Sequence, residues 1–197
     1  MVTSKTLPLL RDHVTLSAAL RRDDDVIHKL GLCTKRIDFY LHLYKHRAEI
    51  ETIVSFHLGL GLTETCCISE VTNWIAGSFN VCIPVDVTYH AGKNREQATR
   101  VLIRIPLPYK VGEEGNPGNA DEKLRCEAAT YLWIQQHCPE IRTPRLLAFG
   151  FSDGPCVCQF NLDETYCMIS LFMMNTNLPH FCSSLLQKMP RFTHDSP

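Results

Sequence analysis

The sequence predicts a mixed α/β chain of the α+β kind: an antiparallel sheet packed by one helix, with a helical extension in front of it. Three observations predict this. Helical periodicity runs from Arg36 to about Leu58, with Ile37, Tyr40, Leu41 and Tyr44 on one stripe and Ile50, Ile53, Val54 and His57 on a second. The period then changes to two: Val81, Ile83, Val85 and Val87 alternate with Cys82, Pro84, Asp86 and Thr88, as in a half-buried strand. Helical spacing returns from Asn119 to Cys138 and must end before Pro139, whose ring and missing N–H break a helix.

The elements between these anchors follow in order. Residues 1–35 form a polar lead-in with one short helix between Leu16 and Leu30. Lys45, His46 and Arg47 separate the two helical stripes and mark either a bend or exposed surface, and Gly59 and Gly61 supply stop signals. Tyr89 to Thr99, with Ala91, Gly92, Lys93 and Asn94, reads as a hairpin loop. Arg100 to Ile105 is the returning strand, closed by Pro106 and Pro108 because proline cannot donate to a ladder. Tyr109 to Asn119 is rich in Gly and Pro, carries Glu113 and Glu114, and reads as an exposed connection. Asn119 with Glu122 three residues on resembles a capping box at the next helix start. Arg145 to Phe149 is a short apolar strand, and Cys167 to Met174 a further strand candidate. The resulting organisation is a lead-in at 1–35, a helical extension at 36–62, a lobe at 63–152 and an atypical, poorly ordered tail at 153–197.

Composition bounds the function classes. At 197 residues and 45% hydrophobic, the chain has enough apolar surface for one ordinary core. A net charge of −1 gives no reason to expect nucleic acid or an anionic membrane as partner. The amino terminus has no apolar signal segment, and Asp23, Asp24 and Asp25 follow soon after, so a cytoplasmic location is expected. The ten cysteines include no C-x-x-C pair, which favours free buried thiols over a metal site. His42 and His46 share an i, i+4 spacing, but no third ligand or acid accompanies them, and a solvated helix face is the expectation.

The chemistry centres on Glu127. Leu124, Glu127, Ala128 and Tyr131 fall on one helix face, so the stripe carries a carboxylate toward the sheet. A buried acid without a partner is costly, and Arg104, at the end of the neighbouring strand, is the natural cation. Periodicity alone leaves two placements open: an inward pair, or a Glu127 at the stripe's edge meeting Arg104 at the surface. The small-residue turn at Gly77, Ser78, Phe79 and Asn80 lets backbone N–H groups approach a phosphate without a Cβ clash. Gly92 and Lys93 lack the upstream glycine and following hydroxyl of a P-loop.

Taken together, WIAGSFNVCIPV (74–85), VLIRIPLP (101–108), KVGE (110–113), NPGN (116–119), EKLRCEAATY (122–131) and TPRLLAFG (143–150) resemble the fungal aminoglycoside-phosphotransferase-like family. RIDF (36–39) and IVSFHLG (53–59) are similar to its preceding helices. The resemblance covers roughly residues 36–152. It implies a protein-kinase-like amino-terminal lobe and ATP-dependent phosphorylation of a small-molecule hydroxyl. It assigns the phosphate-covering loop to Gly77–Asn80, the phosphate-binding cation to Arg104 and its helix partner to Glu127.

The sequence departs from that pattern beyond Gly154. The family's His-x-Asp loop, downstream Asn and second metal-binding Asp have no counterpart among Asp163, Glu164 and Asp195. The expectation is therefore a truncated phosphotransferase-like chain with no catalytic residue and no Mg²⁺ ligands, binding ATP weakly or not at all. The alternative is a non-catalytic interaction module, self-associating through a lobe face left uncovered, or a truncated product without function.

Overall fold

The computed structural model describes residues 5–90, 96–151, 157–158 and 167–171. These fall into two units, residues 1–45 and 46–197. Most of the expectation for 153–197, and the loop around Gly92, lie outside the described residues.

The first unit begins with a hairpin, β1 (Thr6–Pro8) against β2 (His13–Thr15), with Leu7 opposite Val14. Thr15 ends β2 and starts the one-turn helix α1 (Leu16–Ala19), its Oγ1 accepting from the Ala18 N–H at 3.2 Å. Asp25 repeats the device for α2 (Val26–Lys45), accepting from the His28 N–H at 2.9 Å. The single helix expected between Leu16 and Leu30 is thus two, split at Asp25, whose short acceptor favours a helix start over a helix interior. Arg36 donates to the Leu10 carbonyl at 3.2 Å and ties α2 to the hairpin. Ile37 and Leu41 of the expected first stripe are exposed, and Leu43 is buried instead.

The second unit opens with α3 (Arg47–Leu58), so Lys45–Arg47 is a break between helices. His42 and His46 consequently do not share one helix. The second stripe is placed as its spacing predicts: Ile50, Ile53, Val54 and His57 are all buried. Gly59 ends α3 in the left-handed region at φ 64°, where a Cβ would be strained. Burial lowers the pKa of His57 from 6.5. The unfolded chain then binds a proton that the folded chain refuses, so this contribution is complete above about pH 6.5 and lost as pH falls below it. Melting temperature should drop between about pH 7.5 and pH 5, and His57→Leu should flatten that drop; an unchanged slope in the variant refutes it.

A seven-stranded sheet follows: β3 (Thr65–Ile68), β4 (Ile75–Ala76), β5 (Asn80–His90), β6 (Glu96–Pro106), β7 (Arg145–Gly150), β8 (Val157–Cys158) and β9 (Cys167–Leu171). Its order is β3-β5-β6-β9-β7-β8, with β4 also beside β5. The long β5–β6 ladder puts Val81 opposite Ile105, Ile83 opposite Ile103 and Val85 opposite Val101, all fully buried on one face. Both strands reach further into the expected hairpin loop than its polar composition suggested, to the pair His90 and Glu96. Pro84 sits inside β5 without breaking it. Its carbonyl accepts from the Ser69 N–H at 2.9 Å, so its missing donor faces that same side, just past the end of β3.

The antiparallel pairing expected from the sequence holds for β3, β4, β5 and β6 and for β7 with β8. β9 differs, running parallel to both β6 and β7. Two helices, not one, pack on the sheet: α3 against β3, and the long helix α5 (Asn119–His137) against β7 and β9. β6, α5 and β7 therefore form a strand–helix–strand crossover with β9 inserted between its strands.

The connection from β6 to α5 is more built than its Gly and Pro content suggested. It holds a one-turn helix α4 (Pro108–Val111), and Glu113 within it is buried. The capping box is not made. Asn119 instead donates to the Val111 carbonyl at 3.0 Å, and Glu113 accepts from the N–H groups of Gly118 at 2.6 Å and Ala120 at 2.7 Å. A carboxylate with both oxygens on a helix amino terminus satisfies donors that otherwise have no partner and complements the helix dipole. Gly118 adopts φ 98°, which lets the chain turn into α5.

Candidate functional site

Residues alternate along β6, so the strand that buries Val101, Ile103 and Ile105 presents Arg104 on its other face. α5 brings Glu127 to the same place. Arg104 Nη2 lies 3.1 Å from Glu127 Oε1, with side-chain exposures of 24% and 22%. Of the two placements left open by periodicity, the structure adopts the inward one.

The pair is part of a larger cluster. Lys123, one turn before Glu127 on α5, donates from Nζ to the same Oε1 and to Asn80 Oδ1 at 3.0 Å. The Asn80 amide donates to Glu127 Oε1 at 3.4 Å, and Arg104 Nη1 donates to the Tyr131 hydroxyl at 3.5 Å. Glu127 Oε2 is buried and has no hydrogen-bond partner among the described residues. Cys82, opposite Arg104 in the ladder, borders the cluster. Burial raises its thiol pKa despite the neighbouring Arg104 guanidinium, so it is no thiolate nucleophile at neutral pH.

The turn between β4 and β5 reaches the cluster through one residue. Asn80 is buried and linked to α5, whereas Gly77, Ser78 and Phe79 are exposed. The Gly77 N–H donates to the Asn80 carbonyl at 2.8 Å, and a Cβ on Gly77 would lie 3.2 Å from that oxygen. The glycine thus serves the closure of its own turn. The Phe79 carbonyl accepts from Leu107 N–H at 2.8 Å, which fixes the turn to the end of β6. Among the described residues, the Ser78 side chain makes no hydrogen bond to Arg104 or Glu127, whose side-chain partners are Asn80, Lys123 and Tyr131 besides each other.

Lys123 is the member that sequence reasoning missed. Its signal was available: a lysine four residues before an inward glutamate lies on the same helix face. Two cations and one carboxylate leave one net positive charge in a partly buried setting, which suits an oxyanion. A divalent cation does not fit, because Glu127 is already held by two positive groups. Among the described residues no group of three or more His, Cys, Asp or Glu is placed to hold a metal. Six described cysteines are free, of which Cys67 and Cys126 are exposed rather than buried. Burial pushes the Cys66 thiol up to about 11, against the lowering effect of its hydrogen bond with Ser55, the behaviour of a packing residue.

No protein-family model matches the chain, and comparison with curated proteins and with solved structures finds no match. Among the described residues no helix is long and apolar enough to cross a membrane.

Proposed function

We propose that this chain is a nucleotide-binding lobe of the protein-kinase-like type, related to fungal aminoglycoside phosphotransferases, that holds the phosphates of ATP without transferring one. The observation that carries the reading is the Arg104–Glu127 pair, a strand cation fixed by a helix carboxylate. That arrangement suits a phosphate because the guanidinium retains N–H donors not spent on Glu127 or Tyr131. The Gly77–Asn80 turn, fastened to the same helix through Asn80, sits where backbone could approach the ligand. Phosphoryl transfer needs metal ions and a group to orient the nucleophile. Arg104, Asn80 and Lys123 offer donors for an anion and neither of those, so binding without turnover is the activity proposed for this site, in the cytoplasm.

Isothermal titration with ATP, with and without Mg²⁺, tests this reading. Binding should be weak and indifferent to Mg²⁺, and Arg104→Met should weaken it at least about tenfold. Binding that ignores the Arg104 substitution, or steady release of ADP, would overturn it.

A second reading, self-association as an interaction module, is favoured by exposed apolar side chains. Leu16, Leu20 and Ile27 line an open cavity of about 620 Å³ in the first unit, and Ile27 is 85% exposed. Light scattering decides it: a monomer at high protein concentration removes this reading.

A further inference from the structure

We infer that Lys123 is a second anion-binding cation of this site, and that it and Arg104 together grip one phosphoryl group; this rests on the nucleotide reading above. The resemblance to phosphotransferases assigns the phosphate-covering loop to Gly77–Asn80 and names Arg104 as the one phosphate-binding cation.

The hydrogen bonding around Glu127 carries the inference. Arg104, Lys123 and Asn80 all donate to Oε1, while Oε2 has no partner among the described residues. A carboxylate oxygen offers two lone-pair directions, so three donors crowd it, and one can leave for a ligand at little cost. Lys123 has three N–H donors, of which two are engaged, by Asn80 and Glu127. Its ammonium is held rather than mobile, because Asn80 and Glu127 approach it from different elements. Both cations touch the same carboxylate oxygen, so they lie close enough to meet oxygens of one phosphoryl group rather than two distant ones.

Burial strengthens the case. The side chains of Lys123 and Arg104 are 20% and 24% exposed, reachable by a ligand yet largely shielded from bulk screening. A lysine that served only to support helix α5 would need Glu127 alone. Here it also bridges to the β4–β5 turn, the element that would lie against the ligand.

Titration of the full chain with ATP and, separately, with tripolyphosphate reads the proposal. Lys123→Met should weaken both ligands about tenfold, and Lys123→Arg, which keeps the charge, should stay within about threefold of wild type. Normal affinity in Lys123→Met with Arg104→Met still impaired overturns the inference and leaves the nucleotide reading standing. Equal losses in Lys123→Met and Lys123→Arg also overturn it, since charge would then not be what matters. Failure of wild type to bind either ligand removes both readings. A wild-type measurement covers the case in which the Met variant does not fold. The Lys123 ε-methylene resonance should shift on adding tripolyphosphate, and a stationary resonance overturns the inference.

Discussion

Glu113→Ala is expected to destabilise the chain by about 2–3 kcal/mol, a loss read as a lower urea midpoint at unchanged slope. The carboxylate accepts two backbone N–H bonds, from Gly118 and Ala120, at the start of α5. Ala120 is fully buried, so water cannot replace the lost acceptor at that N–H. An orphaned buried donor costs more than a typical hydrogen bond contributes. Glu113→Gln keeps one good acceptor oxygen and should lose roughly half as much. Asn119→Ala gives the contrast, because a capping box would make Asn119 the sensitive position. Its side chain is exposed and only donates to the Val111 carbonyl, so the expected loss is under about 0.5 kcal/mol. Equal effects at 113 and 119 would contradict this account of the helix start.

That contrast also shows where sequence reasoning succeeds and where it stops. The alternation at Val81, Ile83, Val85 and Val87 was legible because one face is buried, and a slip of one residue would expose the whole set. The Arg104–Glu127 pair was legible for a related reason: a carboxylate within an apolar stripe demands a cation, and a neighbouring strand ended in one. The Glu113 cap was not. It acts across a loop whose glycines and prolines signal only a turn, and local pattern favoured the nearer Asn119. Lys123 was passed over because a lysine on a helix is ordinarily solvated, and its second partner, Asn80, is distant in sequence. The parallel pairing of β9 with β6 and β7 depends on chain topology, which period-two patterns do not encode. Pro84 took its place in the period-two alternation as an outward position, and β5 tolerates it because it lies between the stretches paired with β3 and β4, where neither ladder loses a donor.

Glu127→Gln should cost about 2 kcal/mol and, unlike the Glu113 change, its cost should depend on what stands beside it. The carboxylate is the negative group between Arg104 and Lys123, and its loss leaves two cations facing each other in a site about three-quarters shielded from water. The amide cannot solve the geometry by rotating. If its oxygen keeps the position of Oε1, its NH₂ takes the buried place of Oε2, a site cut off from water that makes no hydrogen bond among the described residues. If it flips, the NH₂ meets the two cations. Removing one cation should therefore relieve the variant. Glu127→Gln combined with Lys123→Met should recover at least about 1 kcal/mol of the single variant's loss, the size expected for neighbours sharing one network. Added salt should help the single variant more than the double one, because only the single variant carries the unscreened repulsion. Strict additivity in this cycle would mean that Lys123 and Glu127 do not act on each other, and a two-cation oxyanion site could not then be built on them.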